Sequence, residues 1–237
     1  MCSRAVILAG GQGTRLRPYT VVLPKPLVPV GQYPIVEILV RQLAARGIRQ
    51  ITIAVGYHAN LIQAFFGDGR QWNVQVDYSL ESKPLGTIGP LRLIPDLPET
   101  FLLMNGDILT DLDFADLCRH HQASGCRFTV AASARRHTID YGVLKLDGNR
   151  LVGFEEKPSV EYHVSMGVYV VNREVLSLVP PDQPYGFDAL MLELLRRGDP
   201  VNIYPHQGYW LDIGRPDDYA QAVEEFPKME PRLLGHV

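Results

Sequence analysis

Cysteine is scarce in this 237-residue chain, and the three present, Cys2, Cys118 and Cys126, are odd in number and too few to staple a small scaffold. They are expected to be buried or idle thiols, with a reducing cytoplasm as the location. Excess charge is equally scarce. A formal net charge of −3 supplies no basic field for a polyanion, which excludes nucleic acid as a partner and leaves any phosphate to a few placed residues. No apolar run approaches the roughly 18 residues of a membrane span, and the short N-terminal one carries no small-residue cleavage site, so neither a membrane association nor a leader is expected. Gly/Ser linkers, low-complexity tracts and fixed-period repeats are absent, so one domain is expected over residues 1–237. What is present suits that reading: 46% hydrophobic and 21% charged residues give apolar mass for one sizeable core under an ordinary surface.

Apolar runs alternate with amphipathic stretches. Residues 5–9 form a short run with β-branched members that ends in glycine, the pattern of a strand buried on both faces. Over 34–46, Ile35, Leu39 and Leu43 recur at helical spacing, with Pro34 suited to the first turn and Gly47 to the C-terminal cap. Residues 51–55 read as the next strand, and Leu61, Ile62, Phe65 and Phe66 as a helix closed by Gly67. Further strands are expected at 74–78, 101–104 and 128–131, separated by helical patterns after Gly86 and over 113–121. The alternation predicts an α/β fold with a largely parallel sheet. From residue 138 the rhythm changes to shorter pieces at 142–146, 151–154 and 168–171, with Asp147-Gly148-Asn149 as turn chemistry, which predicts antiparallel additions. Helices are expected at 188–197 and 216–226.

The first strand runs into Leu8-Ala9-Gly10-Gly11-Gln12-Gly13-Thr14-Arg15-Leu16. Glycines admit close approach of the backbone to a phosphate and aim successive N–H groups at its oxygens, and Arg15 adds a cationic fork. A dinucleotide fingerprint would need a third glycine where Leu16 stands, and a Walker loop would need Gly-Lys-Ser/Thr. Taken alone, the loop is equally the mark of a tight strand-to-helix turn. Pro24-Lys25-Pro26 adds a second feature, because two prolines stiffen the segment in an extended form and hold the lysine as a positioned charge. With these residues the sequence resembles the sugar-phosphate nucleotidyltransferase family, whose opening signature of glycine-rich loop, Thr-Arg-Leu and Pro-Lys-Pro is matched at 8–16 and 24–26. The likeness runs over residues 4–225 and is closest in motif to mannose- and heptose-1-phosphate guanylyltransferases.

That resemblance implies a three-layer α/β/α Rossmann-like nucleotidyltransferase domain with a mixed, mostly parallel central sheet and a small antiparallel β addition. The nucleotide-binding half would span residues 1–135 and the sugar-phosphate part 136–225. Arg15, Lys25 and Asp107 would be catalytic, the two cations gripping a triphosphate. Leu8, Ala9, Gly10, Gly11, Gly13 and Thr14 would bind the nucleotide, together with Glu81, Pro84, Gly86 and Thr87 from the segment 81–89. Asp107, in Asn105-Gly106-Asp107, and the distant Asp212, in Tyr209-Trp210-Leu211-Asp212, would hold Mg2+. A lone aspartate at a strand end is ordinarily a cap or turn residue, so the joint match carries this assignment. Gly142, Glu156, Lys157, Ser165, Gly167 and Tyr169 would bind the sugar phosphate. Many relatives carry Asn-Ala-Gly where Ser165-Met166-Gly167 stands here, which weakens any transfer of sugar identity.

The implied reaction is in-line attack of a sugar 1-phosphate on the α-phosphorus of a nucleoside triphosphate, with pyrophosphate leaving. Glu81, an acceptor only when ionised, suits the paired N–H donors of guanine and favours GTP; UTP, dTTP or CTP with a glucose-type 1-phosphate is the alternative. A glycosyltransferase of similar architecture is the rival, since Asp111-Leu112-Asp113 offers a DxD-like metal site, although Asp113 also opens an amphipathic helix. A non-catalytic nucleotide-sugar-binding subunit stands third. His120 and His121 near Cys118 and Cys126 fit no standard zinc spacing. Self-association into a homo-oligomer is left open.

Overall fold

The computed structural model describes residues 2–235. β1 (Arg4–Ala9) sends Ala5, Ile7 and Ala9 to one side of the sheet and Val6 to the other, as a strand buried on both faces requires. After the glycine turn and three single 3₁₀ turns come the two-residue strands β2 (Pro29–Val30) and β3 (Tyr33–Pro34), then α1 (Ile35–Ala45), whose N-cap is Pro34. β4 (Gln50–Val55), α2 (Ala59–Phe66) and β5 (Gln75–Leu80) follow, α2 ending at Gly67 with φ 53°. β6 (Thr100–Asn105) and β7 (Ile108–Thr110) flank the Gly106-Asp107 corner. In α3 (Phe114–Ser124) the Asp113 carboxylate accepts from Ala115 N at 2.9 Å and Asp116 N at 3.1 Å, an N-cap closed at the far end by Gly125. The chain continues through β8 (Phe128–Thr138), β9 (Val143–Asp147), β10 (Arg150–Glu155) and the long β11 (Ser159–Asn172). It ends in α4 (Phe187–Arg196), β12 (Val201–His206), β13 (Trp210–Asp212) and α5 (Pro216–Leu234).

Seven strands form the central sheet in the order β12-β8-β11-β6-β1-β4-β5. Every pairing is parallel except those of β11, which runs antiparallel to both β6 and β8. Helices α1, α2 and α3 bury Leu39, Leu43, Ile62, Phe66 and Phe114 on one face; α4 and the turns around Leu91 and Val175 cover the other. A third cluster packs α5, through Ala222 and Phe226, on Leu16, Ile38, Leu109 and Leu211. This is the expected three-layer α/β/α arrangement with a mixed, mostly parallel sheet. The β1–β4 and β1–β6 pairings also bring the C-terminal ends of these parallel strands together on one edge, where open α/β sheets bind ligands.

Several local expectations need correction. Val168 to Val171 belong to the middle of the central sheet, and of the three pieces expected as antiparallel additions only the two in the β9–β10 hairpin stand apart from it. The helix expected after Gly86 is a 3₁₀ segment, Gly89–Leu93. Pro24-Lys25-Pro26 is not an extended rail: Leu27 N and Val28 N bond to Pro24 O and Lys25 O, closing a 3₁₀ turn that buries Lys25. Helix α5 passes through Pro227 and Pro231, because Phe226 and Leu233 are fixed in the third cluster and this burial outweighs the lost N–H bonds. Cys2 and Cys118, expected as buried or idle thiols, are buried but joined as a disulfide with Cα atoms 6.1 Å apart; Cys126 is free. Among the described residues no helix is long and apolar enough to cross a membrane.

The core also holds an imidazole. His121 lies with Nδ1 2.8 Å from Thr129 Oγ1 and Nε2 3.0 Å from Asn172 Oδ1, which accepts from Thr100 Oγ1 at 2.7 Å. Burial pushes the His121 pKa down, against the Asn172 hydrogen bond. The unfolded imidazole gains its proton near pH ~6.5 while the folded one resists it, so stability falls as pH drops through that window. The Tm should therefore decrease between about pH 7.5 and about pH 5.5, and His121→Asn, though less stable throughout, should show a smaller decrease. Equal decreases in the two proteins would contradict this role.

Candidate active site

The glycine turn leaves β1 with no side chain to spare. A Cβ on Gly10 would overlap Glu81 Oε1, and one on Gly13, at φ 60°, would fall 2.9 Å from Thr20 Cγ2. Thr20 Oγ1 donates to Gly13 O at 2.7 Å and Leu16 N to the same oxygen at 2.9 Å, which locks the turn. The turn borders a cleft of about 620 Å³. Leu8, Gly10, Gly11, Glu81, Pro84, Gly86, Thr87 and Asp107 line it, so most of the residues proposed for the nucleotide converge there. Ala9, Gly13 and Thr14 do not line it; Ala9 is buried in the sheet, and the other two shape the turn.

The acidic pair is built by strand pairing. Gly106 N donates to Leu8 O at 2.9 Å, which seats the Gly106-Asp107 corner on the end of β1. β7 then pairs antiparallel with β13 in the register Asp212 opposite Ile108, and Ile213 N donates to Asp107 O at 3.0 Å. Two carboxylates 105 residues apart in sequence thereby become neighbours. Burial and then the Asp107 charge push the Asp212 carboxyl above its ordinary range, with Lys25 and Arg15 pulling it back. Lys25, 9% exposed, pairs its ammonium with Asp107 Oδ2. Asp107 Oδ1 is buried with no partner. A Cβ on Gly214 would lie 3.8 Å from both Arg15 Nη2 and Asp212 Oδ2, so the guanidinium stands beside the second carboxylate.

The sugar-phosphate expectations divide. β11 breaks register with β8 between Ser165 and Tyr169, which leaves two extra residues on β11 as a bulge. Gly167, at φ 72°, consequently lies against Asn105, its Cβ position 2.6 Å from Nδ2, which brings that turn to the Asp107 corner. Gly142 and Glu156 adjoin each other, and Lys157 is held exposed at φ 44°. None of these three lines the cleft itself. Tyr169 is 2% exposed, with its ring stacked on Phe128 and its hydroxyl 3.1 Å from Ser165 Oγ. Its hydroxyl thereby ties it to the Ser165 end of that turn.

Other contributors were given no role by the sequence. Gln12, Tyr57 and Lys83 line the cleft, and Asp218, in the first turn of α5, accepts from Gly214 N at 3.1 Å beside Asp212. The segment 81–89 rests on residues 185–187: Ile88 N and Gly89 N donate to Tyr185 O, and Phe187 N donates to Thr87 Oγ1 at 2.9 Å. Gln12 lies inside the glycine-rich loop, Lys83 inside the segment 81–89 and Asp218 six residues after Asp212, so position within or beside a motif was their sequence signal, and Tyr57 had none.

A family model described as nucleotidyl transferase matches residues 4–228. The chain belongs to the nucleotidyl transferase family. Among relatives of this nucleotidyltransferase, a mannose-1-phosphate guanyltransferase of Schizosaccharomyces pombe is 34% identical over 98% of the chain and 68% of its own length. A UTP–glucose-1-phosphate uridylyltransferase of Synechocystis is also 34% identical, over 93% of the chain and 62% of its own length. The chain thus spans about two thirds of the length of these relatives. The crystal structure of HddC from Yersinia pseudotuberculosis complexed with GMP-PN superposes with a TM-score of 0.72 at 26% identity, covering 94% of this chain and 99% of the other.

The DxD alternative fails on geometry. Asp113 caps α3, and Asp111 is enclosed between His206 Nε2 at 2.9 Å and the Arg232 guanidinium. Asp111 is thus a satisfied structural charge, whereas Asp212 is held against a like charge. Asp111→Asn should lower unfolding stability by about 1–3 kcal/mol, because it weakens the pairing of the largely buried His206 side chain and removes the charge that holds the exposed Arg232 guanidinium. Asp212→Asn should leave Tm unchanged or raised in metal-free buffer; a drop as large as that of Asp111→Asn would show the acidic pair to be structural.

Proposed function

We propose that this nucleotidyltransferase moves a nucleoside monophosphate from a nucleoside triphosphate, GTP by preference, to a sugar 1-phosphate of the mannose or heptose type, releasing pyrophosphate. The observation that carries the reading is the meeting of Asp107 and Asp212 below the glycine turn, with Lys25 and Arg15 beside them. Two carboxylates with one orphaned buried oxygen suit a hard divalent ion, so Asp107 and Asp212 would hold Mg2+, which when bound neutralises phosphate charge. The residues of the chain supply the rest. Gly10 and Gly11 keep the cleft wall clear of side chains, so a triphosphate can lie along main-chain N–H groups. Arg15 and Lys25 set fixed positive charge where charge builds on the departing pyrophosphate. Glu156 would accept from sugar hydroxyls and Lys157 would pair with the 1-phosphate, while the Ser165 to Gly167 turn floors that side. The attacking oxygen belongs to a phosphate that is already an anion at neutral pH, so no general base is required. It forms the new bond to the α-phosphorus as the bond to the β-phosphate oxygen breaks.

The base preference rests on Glu81. One carboxylate oxygen accepts from Leu85 N at 3.1 Å, and the other reaches the Gly10 side of the cleft. An ionised carboxylate accepts both N–H donors of guanine, whereas uracil presents two carbonyl oxygens to it. UTP with a glucose-type 1-phosphate is the second reading, favoured by the equal identity of the Synechocystis relative. The site of work would be the cytoplasm, a compartment in which the Cys2–Cys118 bridge faces reductants.

Pyrophosphate release from five nucleotides against a panel of sugar 1-phosphates tests the reaction. Glu81→Gln should reduce kcat/KM for GTP by about 10-fold or more while changing UTP use less than about threefold, as expected when one charged hydrogen bond is weakened. Equal losses would remove guanine as the preferred base.

A further inference from the structure

The bulge in β11 leaves a main-chain acceptor that the sheet does not use. Ladder pairing with β8 stops at Ser165 and resumes at Tyr169, two residues later on β8 than regular pairing would give. The Met166 carbonyl, within that gap, is taken by an indole: Trp210 Nε1 donates to it at 3.0 Å. Trp210 is the first residue of β13, opposite Thr110 of β7 and two residues before Asp212. One side chain therefore connects the turn that carries Gly167 to the strand that carries the second acidic residue. The ring is held in turn. The Arg135 guanidinium lies 4.9 Å from its centroid, and Arg135 Nη2 donates to Trp210 O at 2.9 Å. Gly167 adjoins Asn105, so the loop of contacts closes from Met166 through Trp210 and β13–β7 back to the Asp107 corner.

We propose that Trp210 is a positioning residue that sets the Ser165 to Gly167 turn against the Asp107–Asp212 pair, and that Arg135 clamps its ring. This rests on the reading of that turn as the sugar-phosphate side and of the two carboxylates as the metal pair. The indole N–H fixes the height of the bulge; the guanidinium stack and its hydrogen bond to Trp210 O fix the indole. A relaxed bulge misplaces the sugar 1-phosphate relative to the nucleotide without altering the nucleotide cleft, because Trp210 and Arg135 do not line it.

The chain contains two tryptophans, Trp72 and Trp210, so Trp72→Phe makes the second a lone fluorescent reporter. Taking the sugar 1-phosphate that supports pyrophosphate release by the wild-type enzyme, Trp210→Phe should raise its KM about tenfold, the order expected for one lost hydrogen bond. The KM for the nucleoside triphosphate should stay within about twofold. Arg135→Lys, which keeps the charge and loses the planar stack, should shift the same constant by about two- to fivefold. In the Trp72→Phe background, emission should change on adding the sugar 1-phosphate, and the change should shrink with Arg135→Lys. Parallel rises in both KM values, or unchanged kinetics with silent emission, would overturn the assignment while leaving the reaction intact. A wild-type enzyme that releases no pyrophosphate with any substrate pair would overturn the proposed function, and this inference with it.

Discussion

The structure turns on two like charges held close together. Asp107 and Asp212 repel each other, and burial removes much of the water that would screen them. Such a pair persists only where the surrounding framework fixes it and where cations offset it. Lys25 is bonded to one member and Arg15 stands beside the other. The remaining demand is local and specific: a buried carboxylate oxygen with no donor. Structural carboxylates elsewhere in the molecule are treated differently. Asp111 has a partner at each oxygen, and Asp113 caps a helix.

The framework that fixes the pair is the sheet and what it forces on its C-terminal edge. β1 lies between β6 and β4, so the glycine turn at its end and the Gly106-Asp107 corner after β6 must emerge side by side. The short β7 then offers its free edge to β13, and the third apolar cluster, through Leu109, Leu211 and Ile213, keeps that pairing dry underneath. Helix α5 is packed onto this cluster along its length, which makes a C-terminal element part of the support of an N-terminal turn. The antiparallel β11 serves the other side of the site, since only a strand running against its neighbours delivers the Gly167 turn to Asn105.

Much of this was legible because local pattern and global role coincide. The apolar run of β1, the i, i+4 spacing in α1 and the Gly47 and Gly67 stops are each decided within a few residues. The glycine turn and both aspartates were legible as motifs. Their meeting was expected from the family resemblance alone, since the β7–β13 register depends on three-residue strands too short for a periodic signal. Residues 159–164 were missed because Glu161, Tyr162 and His163 lie in an exposed extension of β8 and β11 where no buried face imposes alternation. The C-terminal half of α5 was hidden by its prolines. The Cys2–Cys118 bridge was hidden because cysteine number argues about scaffolds and says nothing of two residues that packing alone brings within bonding reach.

A titration of Mn2+ as a stand-in for magnesium, followed by electron paramagnetic resonance, tests the acidic pair without relying on catalysis. The account requires one bound ion in the wild-type protein, lost or greatly weakened in Asp107→Asn and in Asp212→Asn and retained in Asp113→Asn. Undiminished binding in either of the first two variants would contradict it.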